Sequence, residues 1–125
     1  MTTDSLRSEL RLAIRAAHDK KAAAVTLLDL EGLGAFTEHF LLCTGFSARQ
    51  VEAISDSISN ALTNHGLRLA HREGSTGSEW VLLDFGALVV HVFTERARLF
   101  YDLERLWRSA RRKDFPDPAP GAASA

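Results

Sequence analysis

The sequence has a single cysteine, three prolines and no long apolar run, and these scarcities exclude several classes of protein. Cys43 has no partner for an internal disulfide, which fits a reducing compartment. No apolar stretch approaches the ~18 residues of a transmembrane helix. Residues 1–21 are too polar for a signal peptide, and Asp4, Glu9 and Asp19 argue against a transit segment. The expectation is a cytoplasmic protein without a membrane partner. The prolines all fall within "DFPDPAPGAASA" (114–125), a stretch with little to bury. It reads as a disordered tail, with one domain over 1–112 and the tail over 113–125.

An excess of one charge is also missing. The net charge is −1 at pH 7, so overall electrostatics demand neither nucleic acid nor an anionic membrane. The charge is nevertheless uneven. Residues 26–65 hold Asp29, Glu31, Glu38, Glu52 and Asp56 against Arg49 alone, whereas residues 94–114 hold seven Arg or Lys against four acids. An acidic middle and a basic end suit docking to a charged partner, although a solvated surface is the simpler reading.

At 125 residues and 46% hydrophobic, the chain can build one core. Leu6, Leu10, Ile14 and Ala17 recur at helical spacing over 4–19. "AAVTLLDL" (23–30) and "EHFLLCTG" (38–45) read as strands. Val51, Ile54, Ile58 and Leu62 mark a helix over 48–64, stopped at "NHG". "LRLAHRE" (67–73) alternates as a half-exposed strand. "EWVLLD" and "ALVVHVF" flank Phe85-Gly86 as a tight hairpin. Residues 95–111 return to helical spacing through Leu99, Leu103 and Leu106. The order α-β-β-α-β-β-β-α predicts a single α/β domain with a mixed sheet and flanking helices.

The stretch "TGFSARQ" (44–50) joins a strand to a helix in the manner of a phosphate-binding loop. Ser47 and Gln50 also fit a capping box, in which the hydroxyl accepts from the Gln50 N–H and the amide returns to the Ser47 N–H. Gly45 permits a sharp turn. A nucleotidyl transferase would add metal-holding carboxylates, for which Asp29 and Asp84 at strand ends are the candidates beside Thr44, Gly45 and Ser47. Asp84-Phe85-Gly86 lacks the other elements of a kinase. Gly32 and Gly34 do not complete a dinucleotide fingerprint. The five histidines and Cys43 show no metal-ligand spacing. No metal or cofactor is implied, and no catalytic group stands out.

A two-residue hairpin pairs Leu82 with Val89 and Trp80 with His91. Alternation then divides it into two faces. Val81, Leu83, Leu88, Val90 and Val92 form an aliphatic core face. Trp80, Leu82, Asp84, Val89, His91 and Phe93 form a mixed face suited either to an interface or to cover by a helix. In the last helix, Leu99, Leu103 and Leu106 face the core, Phe100 and Trp107 flank that stripe, and Tyr101, Glu104, Arg105 and Arg108 point elsewhere.

"KKAAAVTLLDL", "EHFLLCTGFSARQVEAI", "EG" at 73–74, "EWVLLDFGALVVHVF" and "RLFYDLERLW" follow one another over about residues 6–109. In this order the five blocks resemble the ribosomal silencing factor family, also called the Iojap-related family. The family prefers Asp-Tyr at Glu38-His39, Tyr at Phe85 and a polar residue at Ala87. The resemblance implies a nucleotidyltransferase-like fold without demonstrated catalysis and no cofactor. It implies binding to the large ribosomal subunit through its protein fourteen, a steric block to small-subunit joining, and repression of translation when nutrients are scarce. A role in late large-subunit assembly and a homodimer off the ribosome are also implied. Trp80, Leu82, Asp84, His91, Phe93, Tyr101, Glu104 and Trp107 are the expected contact residues, and the basic C-terminal helix is a candidate for ribosomal RNA contact. Thr44, Gly45, Ser47 and Gln50 become a structural loop whose phosphate-loop appearance is inherited with the fold.

Overall fold

The computed structural model describes residues 7–116. Helix α1 (Ser8–Asp19) buries Leu10, Ala13, Ile14, Ala16 and Ala17, and Leu6 lies outside the described residues. Strands β1 (Ala23–Asp29) and β2 (His39–Gly45) and helix α2 (Ala48–Asn64) follow. The stripe Val51, Ile54, Ile58 and Leu62 is buried at the spacing the sequence predicts. Next come β3 (His71–Glu73), β4 (Trp80–Asp84) and β5 (Leu88–Thr94).

The single sheet has six strands in the order β3-β4-β5-β2-β1-β6. β2 and β5 are parallel, and the other pairs are antiparallel. Helices α1 and α2 cover one face, where Leu41, Cys43, Val81, Leu83, Val90 and Val92 point. Both central strands are buried along their whole length, so the opposite face is covered as well. There Leu28, Phe40, Leu42, Val89 and Phe93 meet Leu103, Trp107 and Ala110.

Three elements differ from expectation. The strand expected over 67–73 is ordered as a strand only at His71–Glu73, because Leu67 and Leu69 leave the sheet to pack on the α1–α2 core. The single helix expected over 95–111 is broken. Helix α3 (Glu95–Tyr101) stops at Asp102, whose φ of 48° and ψ of 54° are left-handed, and a short α4 (Leu103–Leu106) restarts in a new direction. Arg111–Asp114 then forms β6 against β1, and the Phe115 N–H donates to the Val25 carbonyl at 2.8 Å. The sheet thus continues past residue 112, the limit expected for the domain. The remainder of the expected tail, 117–125, lies outside the described residues.

The hairpin keeps its two faces but shifts its pairing. Trp80 lies across from Phe93, Leu82 from His91 and Asp84 from Val89. The turn is at Gly86-Ala87, one residue later than expected. Gly86 takes a φ of +89°, and its N–H donates to the Asp84 carboxylate at 2.8 Å. Two-residue turns that match strand twist favour glycine with a positive φ at the first central position, which places Gly86 first in the turn and not second. A slip of two in register leaves every side chain on its original face.

Candidate docking surface

The mixed face of the hairpin is divided between interior and surface. Phe93 is 0% exposed and His91 4%. Leu103, Trp107 and Ala110 close over this layer. His91 and Phe93, expected as contact residues, therefore lie beneath the surface instead of on it. Trp80 and Leu82 are half-buried at the margin. Asp84 is occupied in capping the hairpin turn. Trp107 is half-buried with its ring edge-on to Phe40, centroids 6.1 Å apart.

Tyr101 remains at the surface, 50% exposed, with its ring 4.4 Å from that of Trp80. Beside it, Phe100 is 79% exposed, Leu99 75% and Leu106 72%. The helical stripe had placed Leu99 and Leu106 in the core, but the turn at Asp102 leaves only Leu103 facing inward. Arg105 and Arg108 flank the apolar group and are exposed. Sequence reasoning named Tyr101 as a contact residue here but assigned Leu99 and Leu106 to the core. The available signal was an excess: six large apolar residues between 99 and 107 are more than one buried stripe can hold.

Arg98 fixes this segment to the sheet. Its guanidinium donates to the Ala24 carbonyl at 2.6 Å, to Thr44 Oγ1 at 3.0 Å and to Thr26 Oγ1 at 3.1 Å. It also forks onto Glu104 at 2.9 and 3.2 Å. A bulge in β1 gives Ala24 a φ of 48° and offers its carbonyl to Arg98. Glu104, expected to meet a partner, is held by Arg98 and Arg112 instead. The Arg98 hydrogen bonds, with help from Arg112, hold its carboxyl below the usual range.

Adjoining the apolar group at Leu99 lies an open cleft of about 760 Å³, lined also by Thr44, Gly45, Ser47, Glu79, Arg96 and Arg98 among others. Ser47 caps α2, its hydroxyl accepting from the Gln50 N–H at 3.2 Å. The Gln50 amide oxygen accepts from Phe46 N–H, one residue before the expected Ser47. Its nitrogen donates to the Lys20 and Lys21 carbonyls, tying this junction to the end of α1. Gly45 serves by being small, since a Cβ there would sit 3.1 Å from Val51 N and Cγ2. Glu79 pairs with Arg96 and Thr94, and hydrogen bonding first from Arg96 lowers its pKa.

Asp29 and Asp84 are far from this cleft. Asp29 pairs with His39, and Asp84 with Val89. Both therefore lie at the opposite end of β2 and β5 from Ser47, about 20 Å away along the strands. Asp29 and Asp84 thus do not join Thr44, Gly45 and Ser47 in the constellation expected of a nucleotidyl transferase. Asp29, Glu31 and His39 do bring ligand-capable atoms within 4.8 Å of one another. Arg7 donates to His39 Nδ1 at 3.2 Å, so the neutral ring carries its proton on Nε2, 4.0 Å from Asp29. The ring faces these carboxylates as a proton donor, not as a lone-pair donor to a cation.

The sequence matches the family description "Ribosomal silencing factor during starvation" over residues 3–125. The chain belongs to the ribosomal silencing factor family. It is 39% identical to "Ribosomal silencing factor RsfS" of Bacillus subtilis over 109 residues, which is 87% of this chain and 92% of that protein. It is 33% identical to the chloroplastic protein Iojap of Zea mays over 82% of this chain and 44% of that longer protein. The fold of this silencing-factor chain matches a crystal structure of a Chromobacterium violaceum protein with a TM-score of 0.78 and 35% identity, covering 98% of this chain and 97% of that one. Among the described residues of this family member, no helix is long and apolar enough to cross a membrane.

Proposed function

We propose that this chain binds the large ribosomal subunit through ribosomal protein fourteen, blocks joining of the small subunit by occupying its contact face, and so represses translation under nutrient limitation. One observation carries the docking site. Leu99, Phe100, Tyr101 and Leu106 form an exposed apolar group backed by Trp80 and flanked by Arg105 and Arg108. Soluble domains rarely leave such a group uncovered without a partner, and family membership favours the ribosome for that role. Central aromatic residues with basic neighbours match the make-up of binding hot spots. The flanking arginines are available to ribosomal RNA phosphates. Off the ribosome, a second copy would cover the same group, giving a homodimer. A part in late large-subunit assembly follows from the same attachment.

This function needs no turnover. Of the carboxylates lining the cleft beside Ser47, Glu79 and Glu104 are engaged by arginines, and Asp29 and Asp84 stand at the far end of the sheet. These placements favour a binding protein over a nucleotidyltransferase-like enzyme. Co-sedimentation with separated subunits tests the proposal. The wild-type chain should pellet with large subunits and stay in solution with small ones. Phe100→Glu and Trp80→Ala should each weaken binding about thirtyfold, equivalent to about 2 kcal/mol, with circular dichroism unchanged for Phe100→Glu. Equal retention by both subunits, or binding indifferent to Phe100→Glu, would refute this surface.

A further inference from the structure

His91 is an unusual choice for its position. It is 4% exposed at the centre of an aromatic layer, with Phe40 edge-on at 4.5 Å between centroids and Phe93 stacked at 6.1 Å. Trp80 Nε1 donates to its Nδ1 at 3.1 Å. An indole nitrogen can only donate, so Nδ1 must accept and the neutral ring must carry its proton on Nε2. That Nε2 is buried and has no hydrogen-bond partner among the described residues. A phenylalanine would fill the same space among aromatic rings and remove the stranded Nε2, at the cost of leaving the Trp80 N–H without this acceptor.

What histidine adds is an acceptor at one point, and that acceptor is spent on Trp80. The two residues are diagonal neighbours on adjacent strands, since His91 pairs with Leu82 and Trp80 with Phe93. The indole lies between the interior and the surface, 5.7 Å from the Phe93 ring and 4.4 Å from that of Tyr101, which in turn meets Phe100 edge-on at 5.0 Å. An indole turned over about its Cβ–Cγ bond would point its N–H elsewhere and present a different edge beside Tyr101. The hydrogen bond to His91 selects one of these orientations.

We infer that His91 is a positioning residue for docking: it touches no partner, and its Nδ1 fixes the Trp80 indole in the orientation that Tyr101 and Phe100 extend across the surface. This rests on the docking reading above, and it makes an unpartnered Nε2 the cost of a preorganised contact.

The role separates binding from stability. His91→Phe removes the stranded Nε2 together with the acceptor of Trp80 and keeps the ring, so its melting temperature should stay near that of the wild type while affinity for large subunits falls about tenfold. In the free protein, deuterium exchange of the Trp80 indole N–H, identified by its absence in Trp80→Phe, should accelerate at least about tenfold. His91→Asn places an oxygen near the position of Nδ1 and should restore slow exchange and most of the affinity, even if it melts lower. In a Trp80→Phe background, His91→Phe should have no further effect on binding. Wild-type affinity in His91→Phe, additive effects in the double variant, or a parallel fall of binding and melting without rescue by His91→Asn would each overturn the inference. A wild-type chain that does not bind large subunits would overturn the docking reading and this role together, whereas the indole exchange reports the hydrogen bond without any ribosome.

Discussion

Ser47 and Gln50 were legible as a cap because their spacing is local: one turn of helix fixes which N–H the hydroxyl can reach. The onward reach of Gln50 to the carbonyls of Lys20 and Lys21 was not legible, since it depends on where α1 ends in space. Ser47→Ala should cost about 1 kcal/mol in a urea melt. That loss should appear with or without added nucleotide, because the hydroxyl is engaged by the helix. His91 sits at the opposite extreme of locality. Burial pushes its pKa down from 6.5 to about 4. An unfolded chain would take up a proton at that residue near its ordinary pKa, and the fold refuses it. The contribution is therefore complete above pH 6.5 and is lost as pH falls toward 4, up to about 3 kcal/mol. Denaturant melts between pH 7.5 and 4.5 should show this slope in the wild type and a shallower one in His91→Phe. The hairpin alternation correctly put His91 on the same face as Trp80. It could not show which face positions another element would cover.

Periodicity identified α1, α2 and the central strands because each buries a regular stripe or both its faces. It failed after residue 94 for two physical reasons. The Leu99, Leu103 and Leu106 spacing is helical on either side of Asp102, and a single left-handed residue there redirects the chain without disturbing that spacing. Strand β6 has the sequence Arg111-Arg112-Lys113-Asp114, exposed throughout, so no alternation marks it. It is a strand because β1 offers it an edge. Arg98 holds the redirected segment in place through four acceptor residues. Arg98→Met keeps the stem and removes these bonds, leaving Glu104 with only Arg112. It should destabilise the fold by about 3 kcal/mol, measurable as a lower denaturation midpoint. Amide exchange should then be fastest in α3 and α4, because the sheet beneath keeps its own ladder.

For the molecule as a whole, the proposed action by occupancy sets a stoichiometry. Light scattering of mixed subunits should show joining suppressed in proportion to bound protein and saturating near one copy per large subunit. Dilution should restore joining, since the proposed mechanism makes no covalent change. Suppression far below that ratio, persisting after the protein is removed, would mean a catalytic act. The strand order carries another consequence, one of timing. Thr26 meets Asp114 across 88 residues of sequence, and the parallel β2–β5 pair also joins distant parts of the chain. Chains emerge from synthesis at about 5–20 residues per second, so β1 spends several seconds with its outer ladder open before β6 is made. The nascent silencing factor thus carries an incomplete sheet until β6 is made, and the edge of β1 is covered only after the other five strands have been synthesised.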